Sequence, residues 1–178
     1  MLEEFATASC SICTDAAWRV EEILDLDPNA ILVTHHAGFN TDAMTIPEHS
    51  TYARSYTGNN TGSTFAPAMA LDRRGDLGST VAIGRGGWAA AAAAQKDVDA
   101  YASLTLRGSY ANSILSLTAT AFFEDYVIPG DIRMTVFLVE DSVSNNPRVN
   151  TYDFEWDQVN AYYNATGHPL ANVGQLNP

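Results

Sequence analysis

Near residue 97 the hydrophobic pattern changes period, and this constrains the fold more than any other feature of the chain. Before that point, short β-branched apolar runs alternate with stretches of helical period. Residues 2–5 read as a strand stub. Residues 14–26 place Ala17, Val20, Ile23 and Leu24 on one helical face and Arg19, Glu21, Glu22 and Asp25 elsewhere, and Asp27-Pro28-Asn29 ends the helix. A buried strand over 31–35, a loop over 38–46 and a helix opened by Pro47 and running to about Tyr56 follow. Residues 58–63 have loop composition, 65–72 and 80–83 read as strands, and the alanine-rich stretch 88–96 reads as a helix. The predicted order is β, α, β, α, β, β, α. After residue 97 the period is two: 101–110, 113–123 and 132–139 are strand-length, with turn chemistry at Ala111-Asn112 and Pro129-Gly130. Three long adjacent antiparallel strands predict a β-sandwich. A further strand is expected over 152–156.

Composition narrows the partners. The formal charge is -12, and Lys96 is the only lysine among nine basic residues, so no basic face exists to follow phosphates. Nucleic acid and anionic lipid are not expected partners. No apolar run is long enough to cross a bilayer, and no signal peptide is visible at the start of the chain. The abrupt beginning and ending lead us to expect further sequence at both ends.

Cys10 and Cys13, the only two cysteines, fall as Cys-Ser-Ile-Cys between the first strand and the first helix. A sulfur at a helix N-terminus meets unpaired backbone N–H groups and the positive end of the helix dipole, which stabilise a thiolate. Strand, Cys-x-x-Cys, helix is the layout of a thiol-disulfide site. A local disulfide that only pins the turn, or two inert thiols, is the alternative.

The segment Leu2-Glu-Glu-Phe-Ala-Thr-Ala-Ser-Cys-Ser-Ile-Cys-Thr-Asp-Ala resembles the active-site entry of thioredoxin-like proteins. With Ile31-Leu-Val-Thr-His-His-Ala-Gly, Phe65-Ala-Pro-Ala-Met-Ala-Leu-Asp-Arg, Arg133-Met-Thr-Val-Phe-Leu-Val-Glu-Asp and Asn160-Ala-Tyr-Tyr-Asn-Ala-Thr-Gly-His-Pro, the chain resembles the Bacteroidetes-type outer-membrane protein family of about twenty-eight kilodaltons. The resemblance implies an α/β plus all-β architecture: a thioredoxin-like domain over 1–97, then an antiparallel, Ig-like β-sandwich domain over 98–178, truncated before a histidine-rich strand. It implies that Cys10 is the attacking thiol, that Cys13 resolves, and that Pro67 is a cis-proline beside the sulfurs. From the residues alone, Pro67 reads as a trans proline at a strand start. Two departures weigh against catalysis: Ser9 stands where thioredoxins usually carry tryptophan, and Ser11-Ile12 replaces Gly-Pro between the cysteines. The intervening pair tunes the redox potential, so activity with a different poise is compatible with both.

Other candidate sites carry less. Glu4 is a candidate for proton transfer, but a solvent-facing side chain is the expected state, because glutamate is rarely buried unpaired. His35-His36 with Met69 and the cysteines has the donor set of a soft copper site, yet adjacent strand residues point to opposite faces. His49 and His168 read as surface residues. Asp25-Leu-Asp-Pro-Asn lacks the glycine and the terminal glutamate of a calcium loop, with Ala30 and His36 in those places. Gly84-Arg-Gly-Gly-Trp-Ala has dinucleotide-fingerprint form but leads into antiparallel strands, so it reads as a strand-to-helix turn. Tyr152, Phe154, Trp156, Tyr162 and Tyr163 are read either as anchors of a long loop or as a binding patch.

No metal or cofactor site is assigned. The expected function is thiol-disulfide exchange on protein thiols or disulfides in the periplasm or at the outer membrane. The alternative is a non-catalytic surface binding or adhesion protein with an unassigned partner and a thioredoxin-like scaffold. The sequence leaves the oligomeric state open.

Overall fold

The computed structural model describes residues 1–38, 40–58, 64–76, 80–125, 133–141, 143 and 156–173. The chain forms two compact units, Met1–Lys96 together with Val139–Pro178, and Asp97–Leu138.

The first unit has mixed α/β structure. Its elements are β1 (Leu2–Ala6), α1 (Cys13–Leu26), β2 (Leu32–His36), α2 (Pro47–Thr57), β3 (Ala68–Leu71), β4 (Ala82–Gly84) and α3 (Trp88–Gln95), with one turn of 3-10 helix, Arg85–Gly87, leading into α3. The strands form one mixed sheet in the order β2-β1-β3-β4. β1 pairs parallel with β2 and antiparallel with β3, and β4 is antiparallel to β3.

Alternation along the strands divides the core. Leu2, Met69 and Leu71 face α1 and α3, where Ala16, Val20, Ile23, Trp88 and Ala91 close over them. The other face carries Phe5, Ala68, Ala70 and Ala82 beneath Ala53, Tyr52 and Tyr56 of α2. The small alanines leave room for rings, and Phe5 stacks on His35 at 5.0 Å and meets Tyr56 edge-on at 5.9 Å. With helices on both faces, every residue of β1 is buried, including Glu3 and Glu4. Trp88 is fully buried and its indole N–H donates to the Ile83 carbonyl at 2.9 Å, tying α3 to β4. Gly84-Arg-Gly-Gly is therefore a strand-to-helix turn.

The second unit holds a separate two-stranded antiparallel sheet, β5 (Ala102–Ala111) and β6 (Ile114–Phe123). Asn112 and Ser113 join the strands with φ of 53° and 61°. Positive φ at both central residues gives a connection whose twist matches that of the flanking strands. Leu104, Leu106, Tyr110, Ile114 and Phe122 are exposed. The third expected strand is not found: residues 133–139 carry no strand, and Met134, Val136, Leu138 and Val139 are exposed. An alternating pattern becomes a strand only where a neighbour accepts its backbone hydrogen bonds. The turn expected at Pro129-Gly130 and most of the loop 58–63 lie outside the described residues, as does the strand expected at 152–156 apart from Trp156, which lies in a turn.

Candidate functional site

Cys10 and Cys13 form a disulfide, their Cα atoms 5.3 Å apart. β1 delivers the chain to this loop and α1 leaves it, starting at Cys13 itself. The Cys13 N–H donates to the Cys10 carbonyl and the Cys10 N–H to the Thr7 carbonyl, both at 3.0 Å. The sulfurs pack with Ala6, Ala66 and Ile12. The Ala66–Pro67 peptide is cis, not trans, and Ala66 packs against the sulfurs where the chain enters β3. A Cβ on Gly38 would stand 2.6 Å from the Ala66 Cβ, and the Thr64 hydroxyl donates to the Gly38 carbonyl at 2.7 Å. The approach of the two segments thus requires glycine.

Asp42 holds the other side of the loop. Its buried carboxylate accepts from the Ala8 N–H at 2.9 Å and lies 2.8 Å from His36 Nδ1. The Met44 N–H and the Thr45 hydroxyl bond its second oxygen. Burial alone would raise its pKa, but the hydrogen bond from His36 and those from the backbone outweigh it, and the net displacement is downward. The sequence carries no distinctive signal for Asp42, which lies in an ordinary polar loop.

Glu4 is not solvent-facing. It is 4% exposed on the face of β1 that α1 covers. One carboxyl oxygen accepts from the Thr34 hydroxyl at 3.3 Å, and among the described residues the other has no hydrogen-bond partner. Burial pushes its pKa up to about 7, against smaller opposing effects of Thr34 and His36. A group that carries a proton in one half of the population near neutral pH is chemically able to give or take one there.

Glu3, on the opposite face, is charged. Desolvation raises its pKa, but hydrogen bonds from His35 and from Arg73, with the Arg73 charge, bring the net below the ordinary value. Arg73 donates from Nε and Nη2 to its two oxygens at 2.7 and 2.9 Å, and His35 Nε2 lies 3.2 Å away. The strand histidines do point apart, His35 to Glu3 and Phe5 and His36 to Asp42. His35, Met69 and the cysteines belong to three different environments, so the donor set of a soft copper site is not assembled. Among the described residues no group of three or more His, Cys, Asp and Glu side chains is placed to hold a metal ion. His49 and His168 are half-buried: His49 packs edge-on to His35 at 5.2 Å, and His168 stacks on Tyr162 at 4.1 Å.

A distant segment completes the site. The Val159 N–H donates to the Ala8 carbonyl at 3.0 Å and the Ala161 N–H to the Ser11 carbonyl at 2.9 Å. The Gln158 side-chain amide donates to the Cys10 carbonyl at 2.8 Å. Cys10 is 1% exposed. Tyr162 thus belongs to a segment anchored on the disulfide loop, while Tyr152 and Phe154 lie outside the described residues.

Comparison with protein-family models, with curated proteins and with solved structures finds no match. Among the described residues no helix is long and apolar enough to cross a membrane.

Proposed function

We propose that the first unit is a thioredoxin-like module of a cell-envelope protein and that its Cys10–Cys13 pair exchanges disulfides with extracytoplasmic proteins. The observation that carries this reading is a Cys-x-x-Cys disulfide that opens α1 directly after β1, with Ala66, the residue before Pro67, packed against the sulfurs. The preceding strand also holds a buried glutamate, Glu4, whose pKa burial pushes up to about 7. The element order β, α, β, α, β, β, α supports the same reading. An oxidised pair fits an oxidising compartment. The Ig-like reading of the later residues rests on the period-two pattern and the β5–β6 pair.

In the reduced form, Cys10 as thiolate attacks one sulfur of a substrate disulfide and expels the other as a thiolate, which takes a proton. Cys13, deprotonated with Glu4 of β1 in the role of base, attacks the Cys10 sulfur. The mixed disulfide breaks, the substrate leaves as a dithiol and the Cys10–Cys13 bond closes. Two electrons pass from the protein to the substrate, and a substrate dithiol reverses the cycle.

A non-catalytic binding module is the second reading, and the burial of Cys10 favours it, since a nucleophilic sulfur must be reached. One variant and one equilibrium separate the two. Exchange predicts that Cys10→Ala abolishes turnover of a model disulfide and that the pair equilibrates with glutathione at roughly -120 to -270 mV, the span of known exchange catalysts. Full activity in Cys10→Ala, or a potential below about -300 mV, rejects exchange and leaves a structural disulfide on a binding protein.

A further inference from the structure

Residues 156–173 are built as a plug. Asn160 organises them from a buried position: it is 1% exposed, and all its side-chain polar atoms are engaged. Its amide nitrogen donates to the Leu170 and Val173 carbonyls at 3.0 and 2.7 Å, closing the segment on itself. Its oxygen accepts from the Tyr162 N–H at 2.8 Å and from the Thr14 hydroxyl on α1 at 3.3 Å. The Asn172 N–H donates to the Tyr163 carbonyl at 2.8 Å, and Tyr162 stacks on His168. A second tether is Arg85, whose Nε bonds Asp15 at 2.7 Å while Nη2 reaches the Tyr162 hydroxyl at 3.4 Å.

This preorganised segment lands on the disulfide loop. Three of its N–H donors take the carbonyls of Ala8, Cys10 and Ser11, the stretch that carries the first sulfur. Val159 and Asn160 become buried at the contact. An extended polypeptide whose disulfide is to approach Cys10 needs the same space. We propose that residues 156–173 are an intramolecular plug over the Cys10–Cys13 disulfide, and that a disulfide- or thiol-bearing polypeptide gains access only when the plug lifts. The purpose of the plug rests on the exchange reading; its existence does not.

The test is the rate at which a trialkylphosphine reduces the disulfide in the full chain, followed by mass after alkylation. Phosphorus attacks one sulfur and breaks the S–S bond, and water then supplies oxygen to phosphorus and protons to the two thiols. Asn160→Ala removes four hydrogen bonds from the plug, and the rate is expected to rise by about tenfold or more. Gln158→Ala removes the amide's bond to the Cys10 carbonyl together with its bond to the Val159 carbonyl at 3.0 Å. Only the first ties the plug to the disulfide loop, and the expected rise is about fivefold, the worth of that one hydrogen bond. Amide exchange along α1 and β1 checks that the core stays closed. A core-intact Asn160→Ala variant reduced at the parent rate overturns the proposal; if that variant fails to fold, an unchanged rate in Gln158→Ala overturns it. Because phosphine reduction needs no catalysis, a fast-reducing Asn160→Ala variant that still fails to turn over a model disulfide would sink the exchange reading and leave the plug standing.

Discussion

Adjacent glutamates on β1 show how one residue type takes opposite states within a single dipeptide. Glu3 stays charged because Arg73 grips both its oxygens, whereas among the described residues Glu4 has only the Thr34 hydroxyl and the charge of His36. Removing the partner of a buried charge leaves that charge unpaired, so Arg73→Met is expected to destabilise the protein by about 3 kcal/mol, read as a lowered urea midpoint with unchanged slope. Glu4 behaves the other way. Its pKa rises from 4.5 to about 7 on folding, so the folded state binds the extra proton. Its contribution is fully present below about pH 4.5 and is lost as pH rises through 7. Glu4→Gln, which cannot ionise, is therefore expected to match the parent near pH 4.5 and to exceed it at pH 8 by up to about 3 kcal/mol. Parallel denaturation at the two pH values decides it. Equal gaps at both pH values would show that Glu4 does not titrate on folding.

Elements position the site by how closely they approach, and Gly38 is where this is tightest. Between β2 and α2, it lies against Ala66, and Ala66 lies against the sulfurs. An added methyl must push Ala66 and Pro67 away, and overpacking of this kind typically costs about 1–3 kcal/mol. Gly38→Ala is expected to lower the thermal midpoint and to change the reduction rate of the disulfide as well, while Gly84→Ala, with open space around its position, changes the rate little. The elements themselves were legible in the sequence. Periodicity and short apolar runs marked α1, the strands of the first unit and the β5–β6 pair to within a few residues, because burial leaves a repeating trace, while Pro47 marked the start of α2 and alanine's helix propensity marked α3. What periodicity cannot carry is a contact between residues far apart in sequence. Neither the anchoring of Ala8 by Asp42 nor the docking of residues 158–161 on the disulfide loop has a local pattern. Glu4 was misread for a related reason. Glutamate on a strand normally signals an exposed face, and only the second layer of helices, a tertiary fact, buries both faces of β1.

For the whole molecule, these buried groups set a pH profile. Glu3, Asp15 and Asp42 all have folded pKa values below their ordinary ones: burial opposes this in each case, and partners prevail, His35 and Arg73 for Glu3, Arg19 and Arg85 for Asp15, and His36 with the Ala8 and Met44 amides for Asp42. Their stabilisation is complete above the ordinary carboxylate range and is lost as pH falls through the lowered folded values. His49 adds to the same limb. Burial, then the neighbouring His35 and His36, lowers its pKa from 6.5, so its neutral form is favoured on folding and acid works against it. Glu4 acts on the other limb, losing its contribution as pH rises through 7. The net charge of -12 adds self-repulsion that grows as the remaining carboxylates ionise. Stability should therefore peak on the acid side of neutrality, with a gentle decline toward pH 8 and a steep collapse below about pH 4, where three partnered carboxylates take up protons together. Urea midpoints measured from pH 3 to pH 8 test this shape. A profile that rises steadily to pH 8 would mean that Glu4 ionises in the folded protein without penalty, and with it would go the case for Glu4 as the acid-base group of the proposed exchange.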